Sequence, residues 1–289
     1  MLGFLNIYKP SGITSNAVVQ KIKKRFHIDK IGHMGTLDPL ACGILPIAVG
    51  KATRLFDYSL DKKKRYTAIF DFGYTTDTLD IEGVKTNESQ VVPNIEQIKL
   101  AMTKLIGEMD QIPPLYSAKV VNGRRAYDLA REGVSFELKP KKITIYNIDL
   151  IEQISEYQYK FDIECSSGTY IRAIARDIAE LCGTYGCMSF LERTETGVFK
   201  LDNSIKLDDL LEKSNCDDCL ISPVDAFKNF DIYRVDDKTK VDLINGKRPS
   251  TTPFDKPTFI MFHDELLGIA RTNSTELILD TFLYEQKEN

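Results

Sequence analysis

The acid that stands out in this chain is a single aspartate held in a rigid turn. Asp38 is the only acid in Gly32-His33-Met34-Gly35-Thr36-Leu37-Asp38-Pro39-Leu40-Ala41-Cys42-Gly43-Ile44-Leu45-Pro46. Glycine and proline mark this stretch as turns, yet Leu37, Leu40, Ile44 and Leu45 give it apolar content that a solvated linker does not need. We therefore expect a loop packed on a core. Proline pushes the residue before it out of the helical region, which stiffens the backbone at Asp38. A carboxylate held this way either bonds its own turn or is free to attack or stabilise an electron-poor centre.

Other chemistry-bearing residues are weighed against that acid. In Tyr66-Thr67-Ala68-Ile69-Phe70-Asp71-Phe72 the residues Tyr66, Ala68, Phe70 and Phe72 alternate onto one face, as in a half-buried strand. Read from pattern alone, Tyr66 is a core tyrosine with its hydroxyl at the sheet edge. Arg172 stands in the first turn of an expected helix, Tyr170 to Cys182, off its apolar stripe of Ile171, Ile174, Ala175, Ile178 and Leu181. The helix dipole disfavours a cation there by up to about 1 kcal/mol, so a carboxylate or a phosphate should compensate. Glu164 and Asp177 are the simplest surface partners.

Two tempting motifs fail. Gly50-Lys51-Ala52-Thr53-Arg54 has neither the glycine spacing nor the Ser or Thr after lysine that a phosphate loop needs. Cys182, Cys187, Cys216 and Cys219 can be drawn as a four-thiolate zinc site, but their spacing is loose. The six cysteines read as free thiols of a reducing compartment.

The elements that must position these residues follow from composition and periodicity. A chain of 289 residues with 43% hydrophobic and 28% charged residues fits about two globular domains. It has no apolar run long enough to span a membrane, and its N-terminus reads as a strand rather than a signal peptide, so a cytoplasmic protein is expected. Residues 1–72 carry 12 Lys and Arg against 5 acids, whereas residues 202–289 carry 11 against 18. A basic half in an acidic chain points to a polyanion bound at one face.

We read a strand at 4–8, a helix from Thr14 or Ser15 to Phe26, a strand at 66–72 and a helix at 94–109. Residues 113–133 form a turn-rich arm with interleaved basic residues and tyrosines, a composition suited to RNA backbone and exposed bases. Strands at 142–151 and 157–165 precede the Arg172 helix. Short segments after residue 228 suggest a small all-β module.

In this order, several motifs resemble those of the TruB-type tRNA pseudouridine synthases. They are Lys9-Pro10-Ser11-Gly12-Ile13-Thr14-Ser15, the Gly32-to-Pro46 stretch, Lys64-Arg65-Tyr66, Pro113-Pro114-Leu115-Tyr116-Ser117-Ala118, Gly123-Arg124-Arg125-Ala126-Tyr127 and Ser167-Gly168-Thr169-Tyr170-Ile171-Arg172. The likeness runs over residues 4–200, and the tail is similar to a PUA-like RNA-binding module.

The resemblance implies an α+β catalytic domain at 1–227 on a mixed, largely antiparallel sheet, then a PUA-like module at 228–289. It implies isomerisation of the uridine at position 55 in the tRNA TΨC loop, without cofactor, obligatory protein partner or membrane, by a monomer. Asp38 would be the nucleophile. Tyr66 would stack on the flipped base and serve proton transfer, and Arg172 would pair with Asp38, holding it ionised and oriented. Tyr170 and Leu191 would line the uracil pocket, with His33 against the RNA loop. Lys9, Lys64, Arg65, Tyr116, Arg124 and Arg125 would contact RNA, the last three from a clamping arm. Two positions depart from the family pattern: Lys119 follows Ala118 directly, and Glu192 stands where a second arginine is common. The alternatives are a synthase subunit working inside a guide-RNA particle and an RNA-binding protein without chemistry.

Overall fold

The computed structural model describes residues 1–58, 63–117, 119–121 and 123–284, with the backbone alone at Asp57 and Arg125. Strand β1 (Gly3–Lys9) leads through a turn into helix α1 (Ser15–Phe26), whose N-cap Thr14 accepts the amide of Ala17. Strands β2 (Ile31–His33) and β3 (Cys42–Val49) bracket Asp38. A 3-10 helix at Gly50–Tyr58 precedes β4 (Lys63–Phe72), and the small hairpin β5 (Tyr74–Thr76) and β6 (Lys85–Glu88) follows. Helix α2 (Ile95–Leu105) starts at a capping box between Asn94 and Gln97 and is followed by β7 (Gly107–Gln111).

The arm contains the two-residue strands β8 (Val120–Val121) and β9 (Arg124–Arg125) and helix α3 (Ala126–Arg131). Then come β10 (Lys141–Gln153), β11 (Gln158–Ser166), α4 (Ile171–Leu181) and β12 (Gly186–Thr196). Short pieces β13 (Phe199–Lys200), β14 (Ile205–Lys206), α5 (Leu207–Leu211) and α6 (Pro223–Ala226) lead to the C-terminal sheet. That sheet holds β15 (Asp231–Arg234), β16 (Thr258–Phe262), β17 (Glu265–Asn273) and β18 (Glu276–Phe282), with helix α7 (Asp237–Ile244) after its first strand.

The main sheet runs β14-β1-β3-β12-β4-β11-β10-β7, with β2 on β3 and β13 on β12. The β1–β14 and β3–β12 pairs are parallel and the rest antiparallel, in agreement with the mixed, largely antiparallel sheet of the sequence reading. Helices α1, α2, α4 and α5 cover one face through Val18, Ile22, Ile98, Ile174, Ile178 and Leu210. On the other face Phe4, Ile44, Ala48 and Phe199 pack against Phe259 and Ile269 of the C-terminal sheet and against Phe230 and Leu283 that flank it.

Four elements differ from the sequence reading. Strand β3 takes Cys42, Gly43, Ile44, Leu45 and Pro46 out of the expected loop. Its Leu45, Ile47 and Val49 point to the helix side while Ile44 and Ala48 point to the module, so both faces are apolar and the period-two signal vanishes. Strand β12 carries bulges between Met188 and Phe190 and between Arg193 and Glu195, which break its alternation. Helix α2 stops at Leu105, because Ile106 turns extended and Gly107, at φ +110°, starts a strand. The C-terminal module holds a helix beside its strands, with Asp236 as the N-cap of α7.

Candidate active site

Asp38 sits in a loop pinned from beneath by the turn after β1. Ser15 Oγ accepts the amide of Leu37 at 2.9 Å and donates to its carbonyl at 3.0 Å. The carbonyl of Pro39 accepts from the amide of Gly12 at 2.8 Å and from Lys9 Nζ at 3.3 Å, and Ser11 Oγ donates to the carbonyl of Leu40 at 2.7 Å. Arg193, wholly buried in β12, staples the two ends of the loop: Nη2 donates to the carbonyl of Gly35 at 3.1 Å and Nε to that of Ile44 at 2.7 Å. Gly43 makes this approach possible. At φ +101° it passes so close that a Cβ there would lie 2.3 Å from the Arg193 carbonyl oxygen.

The carboxylate itself projects away from these anchors. Its Oδ2 lies 3.0 Å from Arg172 Nε, and 36% of the side chain remains open to solvent. Among the described residues it takes no proton from its own turn, so the choice between turn acid and free acid falls to the latter. Arg172 also lies 3.3 Å from Asp80 Oδ2 and donates to the carbonyls of Thr78 at 2.8 Å and Tyr116 at 3.1 Å. One buried guanidinium thus ties the loop, the turn at 77–83 and the base of the arm to the start of α4. The expected surface partners are engaged elsewhere, Glu164 with Lys63 and Asp177 with Arg176. Removing one partner from a buried pair costs about 3–5 kcal/mol, so Asp80, only 7% exposed, is part of what holds Arg172 in place.

The other residues named from sequence lie on the neighbouring elements β4, β12, β2 and α4. Tyr66 is buried on β4 facing Arg193 on β12, and burial pushes its phenol up to about 12, so the ring is neutral at physiological pH. Leu191 is buried one alternation along β12, with its carbonyl 3.6 Å from Cys42 Sγ. His33 ends β2, and burial together with the Arg193 charge lowers its basicity. Tyr170 is the N-cap of α4 but supplies no side-chain cap. The side-chain amide of buried Gln111 does so instead, accepting the Tyr170 amide at 2.9 Å and donating to its carbonyl at 3.2 Å. Asp80, Arg193, Gln111 and Ser15 escape the sequence reading. Their one signal is position: Arg193 two residues after Leu191, and Gln111 just before Pro113-Pro114.

The family model for the N-terminal domain of TruB family pseudouridylate synthases matches residues 23–171, and that for the C-terminal domain of tRNA pseudouridylate synthase B matches residues 172–227. The chain belongs to the TruB family. It is 44% identical over 248 residues to tRNA pseudouridine synthase B of Clostridium novyi, covering 86% of this chain and 85% of that one. The protein of the same name from Caulobacter vibrioides is 36% identical over 290 residues, covering 95% and 94%. Among solved structures, a Cbf5-Nop10-Gar1 complex superposes with a TM-score of 0.71 at 26% identity over 96% of this chain and 83% of that one. An H/ACA RNP bound to a substrate RNA containing 2'-deoxyuridine gives a TM-score of 0.72 at 23% identity, over 99% and 86%, and shares the fold.

Within this TruB fold the residues expected on RNA separate into groups. Lys9 does not face outward: it is fully buried, and its ammonium also donates to the carbonyls of Pro10 at 2.9 Å and Ile13 at 2.7 Å. Its place is structural, and burial lowers its pKa to about 8. Arg65 is exposed and paired with Asp162 at 2.7 Å, and Arg124 with Glu132 at 2.5 Å. Tyr116 lies edge-on to Tyr127 at the base of the arm. Arg125 belongs to β9, its side chain lying outside the described residues, as does Ala118 of the arm motif. Glu192, at the departure from the family pattern, accepts the hydroxyl of Tyr8 at 2.8 Å. Among the described residues no group of three metal-binding side chains occurs, all six cysteines are free, and no helix is long and apolar enough to cross a membrane.

Proposed function

We propose that this chain isomerises the uridine at position 55 of the tRNA TΨC loop to pseudouridine, alone and without a cofactor, in the cytoplasm. The observation that carries this reading is the Asp38 carboxylate, held at 3.0 Å by Arg172 and still partly open to solvent. The reaction breaks the N1–C1′ bond of the nucleoside, turns the base and forms a C5–C1′ bond. The proton on C5 is lost and one is gained at N1, so no electrons leave the nucleotide. Such a rearrangement needs a nucleophile for the ribose or the base and a way to hold the ribose while the base turns, and Asp38 supplies the first.

A base in a folded loop must first leave its stack, and the Tyr66 ring with Leu191 and Tyr170 offers replacement contacts. As a neutral phenol, Tyr66 enters as platform and hydrogen-bond donor. Arg172 orients the attacking carboxylate and, through Asp80 and the Tyr116 carbonyl, couples it to the arm that would grip the RNA. Residues 1–227 would carry this chemistry and residues 228–289 a PUA-like RNA contact.

The test is tritium release from a bare tRNA transcript labelled at uracil C5, with the purified chain alone. Release of one tritium per transcript supports the reading. A protein that needs a guide RNA binds the transcript without release until the guide is added, and a pure binder releases nothing under either condition.

A further inference from the structure

On the sheet face that carries Tyr66, positive groups converge without a counter-ion. Lys64 lies two residues before Tyr66 on β4, on the same side of the strand and about 7 Å along it. Arg193 stands opposite Tyr66 on β12. Both reach the backbone of Gly35, where a side chain is missing: a Cβ there would lie 3.1 Å from Lys64 Nζ and 3.7 Å from Arg193 Nη1. Arg193 is wholly buried, and Nη1 has no hydrogen-bond acceptor. His33 Nδ1, two residues from Gly35, is likewise buried and unbonded. Among the described residues no carboxylate pairs with Lys64 or Arg193.

Buried donors are normally satisfied, and a buried cation without a partner is costly, so such a cluster is stable chiefly when an anion completes it. We propose that this cluster seats an RNA phosphodiester, the one adjoining the uridine presented to Asp38, with Lys64 in direct contact and Arg193 and His33 behind it. The proposal rests on the pseudouridine synthase reading and adds the means by which the ribose is held. Gly35 is three residues before Asp38, so an anchored phosphate fixes the sugar next to the nucleophile while the base detaches and turns. The electrostatics of Lys64 suit an anion as well. Burial and the charges of Arg193 and Lys141 bring its pKa down to about 8, and a phosphate beside it would restore the charged form.

One protein change and one RNA change together provide the experiment. Dissociation constants are measured for T-arm hairpins in which single phosphodiesters are replaced by uncharged methylphosphonates, in chains carrying Asp38→Asn so that the RNA stays unmodified. Loss of one charge-assisted contact weakens binding about tenfold. For the linkage adjoining the target uridine, Lys64→Met and the methylphosphonate should each cost about tenfold, and the two together also about tenfold. Lys64→Arg should keep the sensitivity to that linkage, which shows that charge rather than folding is at stake. Penalties that multiply at every linkage, or a largest effect at a linkage remote from the target, would overturn the proposal. Tritium release by the unsubstituted chain is read separately and reports on the enzymatic reading alone.

Discussion

Arg172 shows how much of the site depends on one side chain. It is buried, it meets two carboxylates and two carbonyls, and only one of the carboxylates, Asp38, is open to solvent. Asp80→Asn keeps the shape of that network while removing a charge, so kcat should fall by tenfold or more with little change in RNA affinity; steady-state kinetics against a binding titration separates the two. Arg172→Lys should lose activity too, because an ammonium cannot reproduce the planar fork that reaches several acceptors at once. Lys64 makes a second prediction. It is charged below its pKa of about 8, set by burial and by Arg193, against an opposite effect of Cys165, and by Lys141. RNA affinity should therefore weaken as pH rises from 7 to 9, and Lys64→Arg should remove that fall.

At the scale of elements, the fold works as a clamp on a loop. The turn after β1 and the buried Arg193 of β12 hold every side of the Asp38 segment, so its geometry is set before RNA arrives. Ser15→Ala removes both hydrogen bonds to Leu37 and should destabilise by about 1–3 kcal/mol, lowering kcat more than affinity, as a melting curve and kinetics would show. Sequence makes the pieces of this clamp visible without their purpose. Asp38, Tyr66 and Arg172 stand out by type and context, and α1, β4 and α4 by clean periodicity. The resemblance puts Lys9 on the RNA face; in the fold it ties three carbonyls under the loop. Strands β3 and β12 stay hidden because burial on both faces removes alternation from the first and bulges remove it from the second. Asp80 is legible only as one acid in an acidic turn, since its meaning depends on a contact with Arg172, far along the chain.

The whole molecule joins a basic N-terminal part to an acidic tail, yet the two share a core. Phe4, Ile44 and Phe199 are buried against Phe230, Phe259, Ile269 and Leu283, and Arg54 donates to the carbonyl of Phe282 at 2.9 Å. Ending the chain at residue 227 exposes that apolar face, so the truncated protein should melt well below the full chain or aggregate; an unchanged melting temperature would show that the contact adds nothing. The central claim concerns the intact protein on an intact tRNA: one carboxylate does the chemistry and the rest of the molecule brings uridine to it. It is tested most directly by tritium release from C5-labelled transcript with the Asp38→Asn chain beside the unsubstituted one. The account predicts that the variant binds the transcript within about threefold of the parent, since its amide keeps the shape of the site, and releases no tritium. Turnover by the variant would remove Asp38 from the reaction.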